Sequence, residues 1–280
     1  MIITDDILFP EGPLLLPDGT WLVTEMTRGI VTRVFADGSK QEVASTGSPN
    51  GLAQTRDGIV WIAESINPSL MRLDLSTGDV TTVLSEVEGL PVLWPNDLCV
   101  GPDGAIYVTD SGLLRSEFTG PGWPEFVDGR VFRYDPATGE SWFVDRGIRV
   151  TNGIAFGPDG RLYVNETATG NVYRYSLSDG RKVGDREYFG NVLDPQFAEP
   201  HGGPDGMAFS SDGRLWVVVF GYGDIAVLDT SGTVIERFVI DGDFPTNLAF
   251  GEPGRLYVVE TQNNDLRSYE VDAAAFPLHT

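Results

Sequence analysis

The chain has one cysteine, Cys99, and two histidines, His201 and His279, in 280 residues. A lone thiol excludes an intrachain disulfide and a thiolate metal cluster. Basic residues are scarce: 19 Lys and Arg stand against 41 Asp and Glu, for a net charge of −22. That balance opposes phosphate backbones and anionic lipid, which need a basic patch. Neither nucleic acid nor a membrane is an expected partner. The longest apolar stretch, around Leu215 to Phe220, falls far short of the roughly 20 residues that span a bilayer. The start, MIITDDILFP, carries acids where a secretory signal has a basic segment, so a soluble cytoplasmic protein is the expectation. A G-x-S-x-G elbow is absent, and no Ser-His-Asp apparatus is indicated. No stretch keeps a 3.6-residue apolar period.

What is present is a repeat. One block reads EGPLLLPDGTWLVTE from Glu11, NGLAQTRDGIVWIAE from Asn50 and NDLCVGPDGAIYVTD from Asn96. It returns as NGIAFGPDGRLYVNE from Asn152, DGMAFSSDGRLWVVV from Asp205 and NLAFGEPGRLYVVE from Asn247. The first five place Asp-Gly seven and eight positions after the anchor, and the sixth has Pro253-Gly254 instead. Successive anchors lie 39, 46, 56, 53 and 42 residues apart. Intervals near 45 residues, filled with short alternating runs and Gly-rich turns, match a four-stranded propeller blade. An all-β, six-bladed propeller of four-stranded antiparallel blades, forming one domain over 1–280, is the expected fold.

In blade four the pattern predicts an inner strand over Gly153 to Phe156 and a second over Arg161 to Glu166. A third over Asn171 to Leu177 and a fourth over Lys182 to Phe189 complete it. If each anchor begins an inner strand, the Asp-Gly turns fall at the opposite face. The variable loops then share the anchor face, including the long segments Gly112 to Gly129 and Asn191 to Gly203. Long loops on one face of a rigid scaffold carry binding, which makes the anchor face the candidate mouth.

Inner strands converge on the axis, so the anchors Glu11, Asn50, Asn96, Asn152, Asp205 and Asn247 form a ring in which every side chain carries oxygen. Hard divalent cations favour this inventory of carboxylates and amide carbonyls. The competing explanation is purely local: Asn-Gly and Asp-Gly are ordinary turn dipeptides. Against it, Glu11 is a poor turn former, and Asn247 keeps its amide without a following Gly.

Around these anchors the chain resembles the regucalcin, gluconolactonase and luciferin-regenerating family of six-bladed propellers. FPEGPLLLPDG, WPNDLCVGPDG, TNGIAFGPDGRLYV and GGPDGMAFSSDGRLWV carry the resemblance over essentially the full length. It implies one divalent cation, calcium before Zn²⁺, Mn²⁺ or Mg²⁺, held by Glu11, Asn152 and Asp205. Asn96 matches a position that ligates metal in some members and holds substrate in others.

Lactone hydrolysis suits such a site, because a cation polarises an ester carbonyl. The resemblance points to Asp205 as the catalytic base, with metal-bound hydroxide as the alternative. Substrate contacts are expected from Asn96, Trp94, Arg115 and Trp123, and from His201, which is weighed against a structural role in its loop. His279 reads as a frayed tail and Cys99 as a small buried hydrophobe. Acids ending the second strands, Glu25, Glu64, Asp110, Glu166 and Glu260, suit loop hydrogen bonding or anchor orientation better than ligation. The reading is therefore a metal-dependent lactonase acting on a sugar or small-acid lactone. Rivals are phosphoester or organophosphate hydrolysis, a lyase, a non-catalytic calcium or metabolite binder, and a metal-free relative of the strictosidine synthase type. Retention of Glu11, Asn152 and Asp205 together opposes the last.

Overall fold

The computed structural model describes residues 1–118, 122–194 and 202–279. Six four-stranded antiparallel sheets surround a central axis as the blades of a propeller. Blade one runs outward through Pro10–Leu15, Trp21–Glu25, Ile30–Val34 and Lys40–Ser45. The inner strands of the next five are Pro49–Gln54, Pro95–Val100, Thr151–Phe156, Gly203–Phe209 and Pro245–Phe250. Blade six is completed from the other end of the chain: Ile2–Thr4 pairs with Asp265–Glu270 as its outermost strand. The ring is thereby closed through the two termini by backbone hydrogen bonds rather than by packing alone.

The second strands are apolar along their length because each is covered on both faces. WLVTE, VWIAE and IYVTD are buried at every position. The core is divided into six clusters, each filling one seam between neighbouring blades. Leu14, Leu22 and Val31 of blade one meet Leu52, Val60 and Leu73 of blade two, and Trp216 and Val218 of blade five meet Leu248 and Val258 of blade six. Each fully buried aliphatic or aromatic side chain contributes on the order of 1.5–3 kcal/mol, so the seams hold the fold without a metal.

Blade four departs from expectation at its edge. Leu177–Ser178 and Arg181–Lys182 form a small separate hairpin, and the fourth strand is Glu187–Asn191. The C-terminal segment also differs. His279 is half-buried and meets Phe156 edge-on at 5.8 Å, with Phe276 6.5 Å away. Phe276 N–H donates to Phe209 O at 3.1 Å and Ser211 N–H to Ala274 O at 2.8 Å. The tail is tied across the Asp-Gly face rather than frayed, because its aromatic rings have the axial channel to fill.

Candidate metal and substrate site at the anchor face

All six inner strands break register where the anchors sit. The shifts fall between Glu11 and Leu14, Pro49 and Leu52, Pro95 and Leu98, Thr151 and Ile154, Pro204 and Met207, and Pro245 and Asn247. The anchors thus belong to bulged strands, and bulges re-aim side chains. They are not hairpin turns.

The glycine after an anchor answers to close packing around the axis. A Cβ on Gly153 would lie 2.3 Å from Asp205 O and 2.7 Å from Asn165 Nδ2. One on Gly206 would lie 2.0 Å from Asn247 Oδ1. Each glycine therefore leaves room for the next anchor. Blade three breaks the pattern with Asp97, whose carboxylate occupies the space beside Gly51.

Asp97 changes the electrostatics of the ring. Glu11, Asp97 and Asp205 are 4%, 8% and 8% exposed, and among the described residues no basic side chain pairs with any of them. Burial raises the Glu11 carboxyl well above its usual range, and repulsion from Asp205 and Asp97 adds to that. Burial, then repulsion from Asp97, does the same to Asp205. Asp97 is pushed up to about 7 by burial, against hydrogen bonds from Leu98 and Ile154 backbone and the Asn247 side chain. Asn247 also bonds Glu11, and Asn152 bonds Asp205. Glu11, Asp97, Asn152, Asp205 and Asn247 are therefore linked in one buried group.

That group fits a hard cation. Its carboxylates repel one another without a counter-charge, and Asn152 Oδ1 and Asn50 Oδ1 are buried acceptors with no hydrogen-bond partner. Orphaned acceptors of this kind are uncommon, and a cation that prefers oxygen ligands satisfies both deficits. The donor set is mixed: among the described residues, no three His, Cys, Asp or Glu side chains form a metal cluster by themselves. Asn96 is buried beside the group and donates to Ser111 Oγ at 3.4 Å.

The anchor backbone is held from the neighbouring blade. Thr24 Oγ1 donates to Asn50 O at 2.9 Å, Thr109 Oγ1 to Asn152 O at 2.6 Å, and Asn165 Nδ2 to Asp205 O at 2.6 Å. Asn165 Oδ1 also accepts from Gly153 N–H at 3.1 Å. These three polar side chains, with Asp97, are what sequence reasoning missed. The signals were visible: a Thr or Asn inside otherwise apolar second strands, and an Asp where the repeat has Gly.

The acids ending the second strands fasten the segments that lead into their own inner strands. Glu25 accepts from Leu8 N–H, Glu64 from Ser48, Asp110 from Leu93 and Trp94, Glu166 from Arg149, and Glu260 from Phe244, at 2.6–3.0 Å. They act on loop backbone and leave the anchors to others. Two of the six described non-glycine residues with positive φ lie nearby: Phe9 and Val150, each two residues before an anchor, have φ of 53° and 62°. For a β-branched valine this is a true outlier, and such strain persists where surrounding bonds over-determine it.

Substrate candidates divide into two groups and one remainder. Trp94 stands 6.3 Å from Phe118, which stacks on Trp123 at 4.6 Å. Arg115 crosses to blade two, where its guanidinium donates to Ser48 Oγ and lies near Glu64. His201 lies outside the described residues. Cys99 is half-buried and faces an axial cavity of about 540 Å³ that lies between the ring and the C-terminal tail, with Leu98, Phe156, Phe209 and Phe276 in its walls. Burial first, then Asp97 and Asp103, pushes its thiol well up, which keeps it protonated and unreactive.

The fold and the ring define a six-bladed propeller whose axis ends in a buried, oxygen-rich polar site. Residues 9–273 match the SMP-30/Gluconolactonase/LRE-like region, and the chain belongs to that family. Among relatives, a gluconolactonase of Zymomonas mobilis is 25% identical over 95% of this chain and 80% of its own length. A 6-deoxy-6-sulfogluconolactonase of Pseudomonas putida is 29% identical over 80% of this chain and 85% of its own. The crystal structure of a calcium-binding protein, regucalcin, from Agrobacterium tumefaciens superimposes with a TM-score of 0.81. It is 24% identical and covers 99% of this chain and 95% of its own. Among the described residues no helix is long and apolar enough to cross a membrane.

Proposed function

We propose that the protein is a divalent-cation-dependent hydrolase of lactones; the relatives cited are named for sugar lactones. The observation that carries the reading is the buried group of Glu11, Asp97 and Asp205 beside the unpartnered Asn152 Oδ1. Glu11, Asn152 and Asp205 would hold the ion, with Asn96 as a further ligand or a substrate contact. Calcium suits the all-oxygen donor set, and a structural neighbour is described as calcium-binding. When bound, such an ion supplies Lewis-acid polarisation of a carbonyl oxygen.

The chain's own residues supply the rest. Asn96, whose Nδ2 donates to Ser111 Oγ at 3.4 Å, would orient a substrate oxygen. Asp205 accepts the proton of the attacking water. The acyl carbon gains hydroxide, the ring C–O bond breaks, and the departing alkoxide takes the proton back from Asp205. Thr109 and Asn165 keep the Asn152 and Asp205 backbone fixed while the proton moves.

The test is pH-stat hydrolysis of D-glucono-δ-lactone by the protein with added Ca²⁺, by the EDTA-stripped protein, and by Asp205→Ala. Turnover that needs the ion and falls at least 100-fold in Asp205→Ala supports the reading. Turnover above the uncatalysed rate that is equal in all three samples refutes it, as does the absence of turnover of every lactone tried.

A further inference from the structure

The mouth around the ring is lined with apolar side chains. On the blade-three side, Trp94, Phe118 and Trp123 form an aromatic cluster, Phe118 stacked on Trp123 and tilted against Trp94, each half-buried. On the opposite side, Phe220 at the end of a blade-five strand packs against Phe244, ring centroids 5.0 Å apart. Phe244 leads into blade six and Phe9 into blade one, and they are 38% and 36% exposed. Leu114 and Phe126, in the loop that carries Trp123, are 39% and 89% exposed. Exposed apolar side chains that neighbour one another around a pocket can form part of a binding surface.

Among the described residues, the charged groups at this face are largely committed elsewhere. Glu25, Glu64, Asp110, Glu166 and Glu260 accept from backbone N–H groups. Arg115 is held on Ser48, and Arg149 donates to Pro124 O at 3.2 Å. A polyhydroxylated ring would bring hydroxyl groups to walls that offer few partners, and unpaired polar groups are costly. Among the described residues, Trp94 Nε1–H and Arg149 Nε–H are exceptions, each buried without a hydrogen-bond partner. They supply donors in a largely apolar wall, as small-molecule sites do.

We infer that the preferred substrate is a lactone bearing an apolar substituent, an alkyl chain or aromatic ring, which lies between the Trp94–Phe118–Trp123 cluster and the Phe220–Phe244 pair. The inference rests on the hydrolase reading and narrows its substrate class. Burying a methylene is worth about fourfold in affinity, so several methylenes held between these walls raise kcat/KM by at least an order of magnitude.

The experiment compares γ-butyrolactone, γ-octanolactone and D-glucono-δ-lactone on the Ca²⁺-loaded protein, with tryptophan fluorescence titration of the γ-butyl lactam as a binding readout free of turnover. The expected result is a kcat/KM for γ-octanolactone at least tenfold above that for γ-butyrolactone. Trp94→Ala and Phe244→Ala should each reduce that ratio at least threefold, and the lactam should quench the fluorescence. Gluconolactone turnover with a γ-octanolactone to γ-butyrolactone ratio near one overturns the apolar preference and leaves the hydrolase reading standing. Lactam binding without hydrolysis of any lactone supports the apolar site and overturns the hydrolase reading. Neither binding nor hydrolysis overturns both.

Discussion

Asn165→Leu removes a side chain that fastens two neighbouring anchor segments. Asn165 is fully buried, accepting from Gly153 N–H at 3.1 Å and donating to Asp205 O at 2.6 Å. Leucine leaves both backbone groups buried and unpaired, at about 1–3 kcal/mol each, so the loss is about 2–6 kcal/mol. For a chain of this size each kcal/mol moves Tm by roughly 2–4 °C, and a fall of roughly 5–20 °C is expected by calorimetry in EDTA. Residues that position ligands typically change metal affinity 10–100-fold, so calcium affinity should fall at least tenfold as Asp205 loses its support. Asn165→Thr is the control. Threonine does the corresponding work at Thr24 and Thr109, and it should restore at least half of the lost Tm. A fall below about 2 °C, or a threonine variant no better than the leucine one, would refute the argument that these polar side chains hold the ring.

Asp97 makes the cation-free protein pH-sensitive. Its folded pKa is raised from 3.8 to about 7, so the native state holds more protons than the unfolded one between those values. The stabilisation is therefore fully present below pH 4 and is lost as pH rises towards 7, by about 4 kcal/mol at most. In EDTA, Asp97→Asn should flatten this part of the urea-measured stability profile, and an unchanged slope would count against the assignment. Chelation at pH 7 should leave far-UV circular dichroism intact, because the six interblade clusters do not involve the ion; loss of the β-sheet signal would contradict this. Truncation after Asp272 removes Phe276 and His279 from the axial cavity, and ANS fluorescence should rise as that apolar channel opens. No change in ANS binding would mean that the tail does not seal it.

Much of the fold was legible because a propeller repeats one solution six times. The anchor, the Asp-Gly turn and the apolar second strand recur at intervals that only a blade explains. The oxygen ring was legible for the same reason. What the repeat hid were its exceptions. Asp97 stands in a slot that the pattern reads as glycine, so its carboxylate went uncounted. Thr24, Thr109 and Asn165 look like interruptions of an apolar strand, yet their partners lie in the next blade, a contact that no spacing along the chain encodes. Ile2–Thr4 closes blade six for an equally non-local reason: a three-residue strand has no periodicity to read. His279 was misjudged because the channel that it packs against exists only once the ring is closed.

The most direct test is isothermal titration of the EDTA-stripped protein with CaCl₂, repeated on Glu11→Gln and Asp205→Asn. One ion bound per chain, with affinity lost by at least 100-fold in each variant, is the expected result. No binding in the unsubstituted protein, or binding that survives both substitutions, would contradict the claim that the axial ring is a cation site.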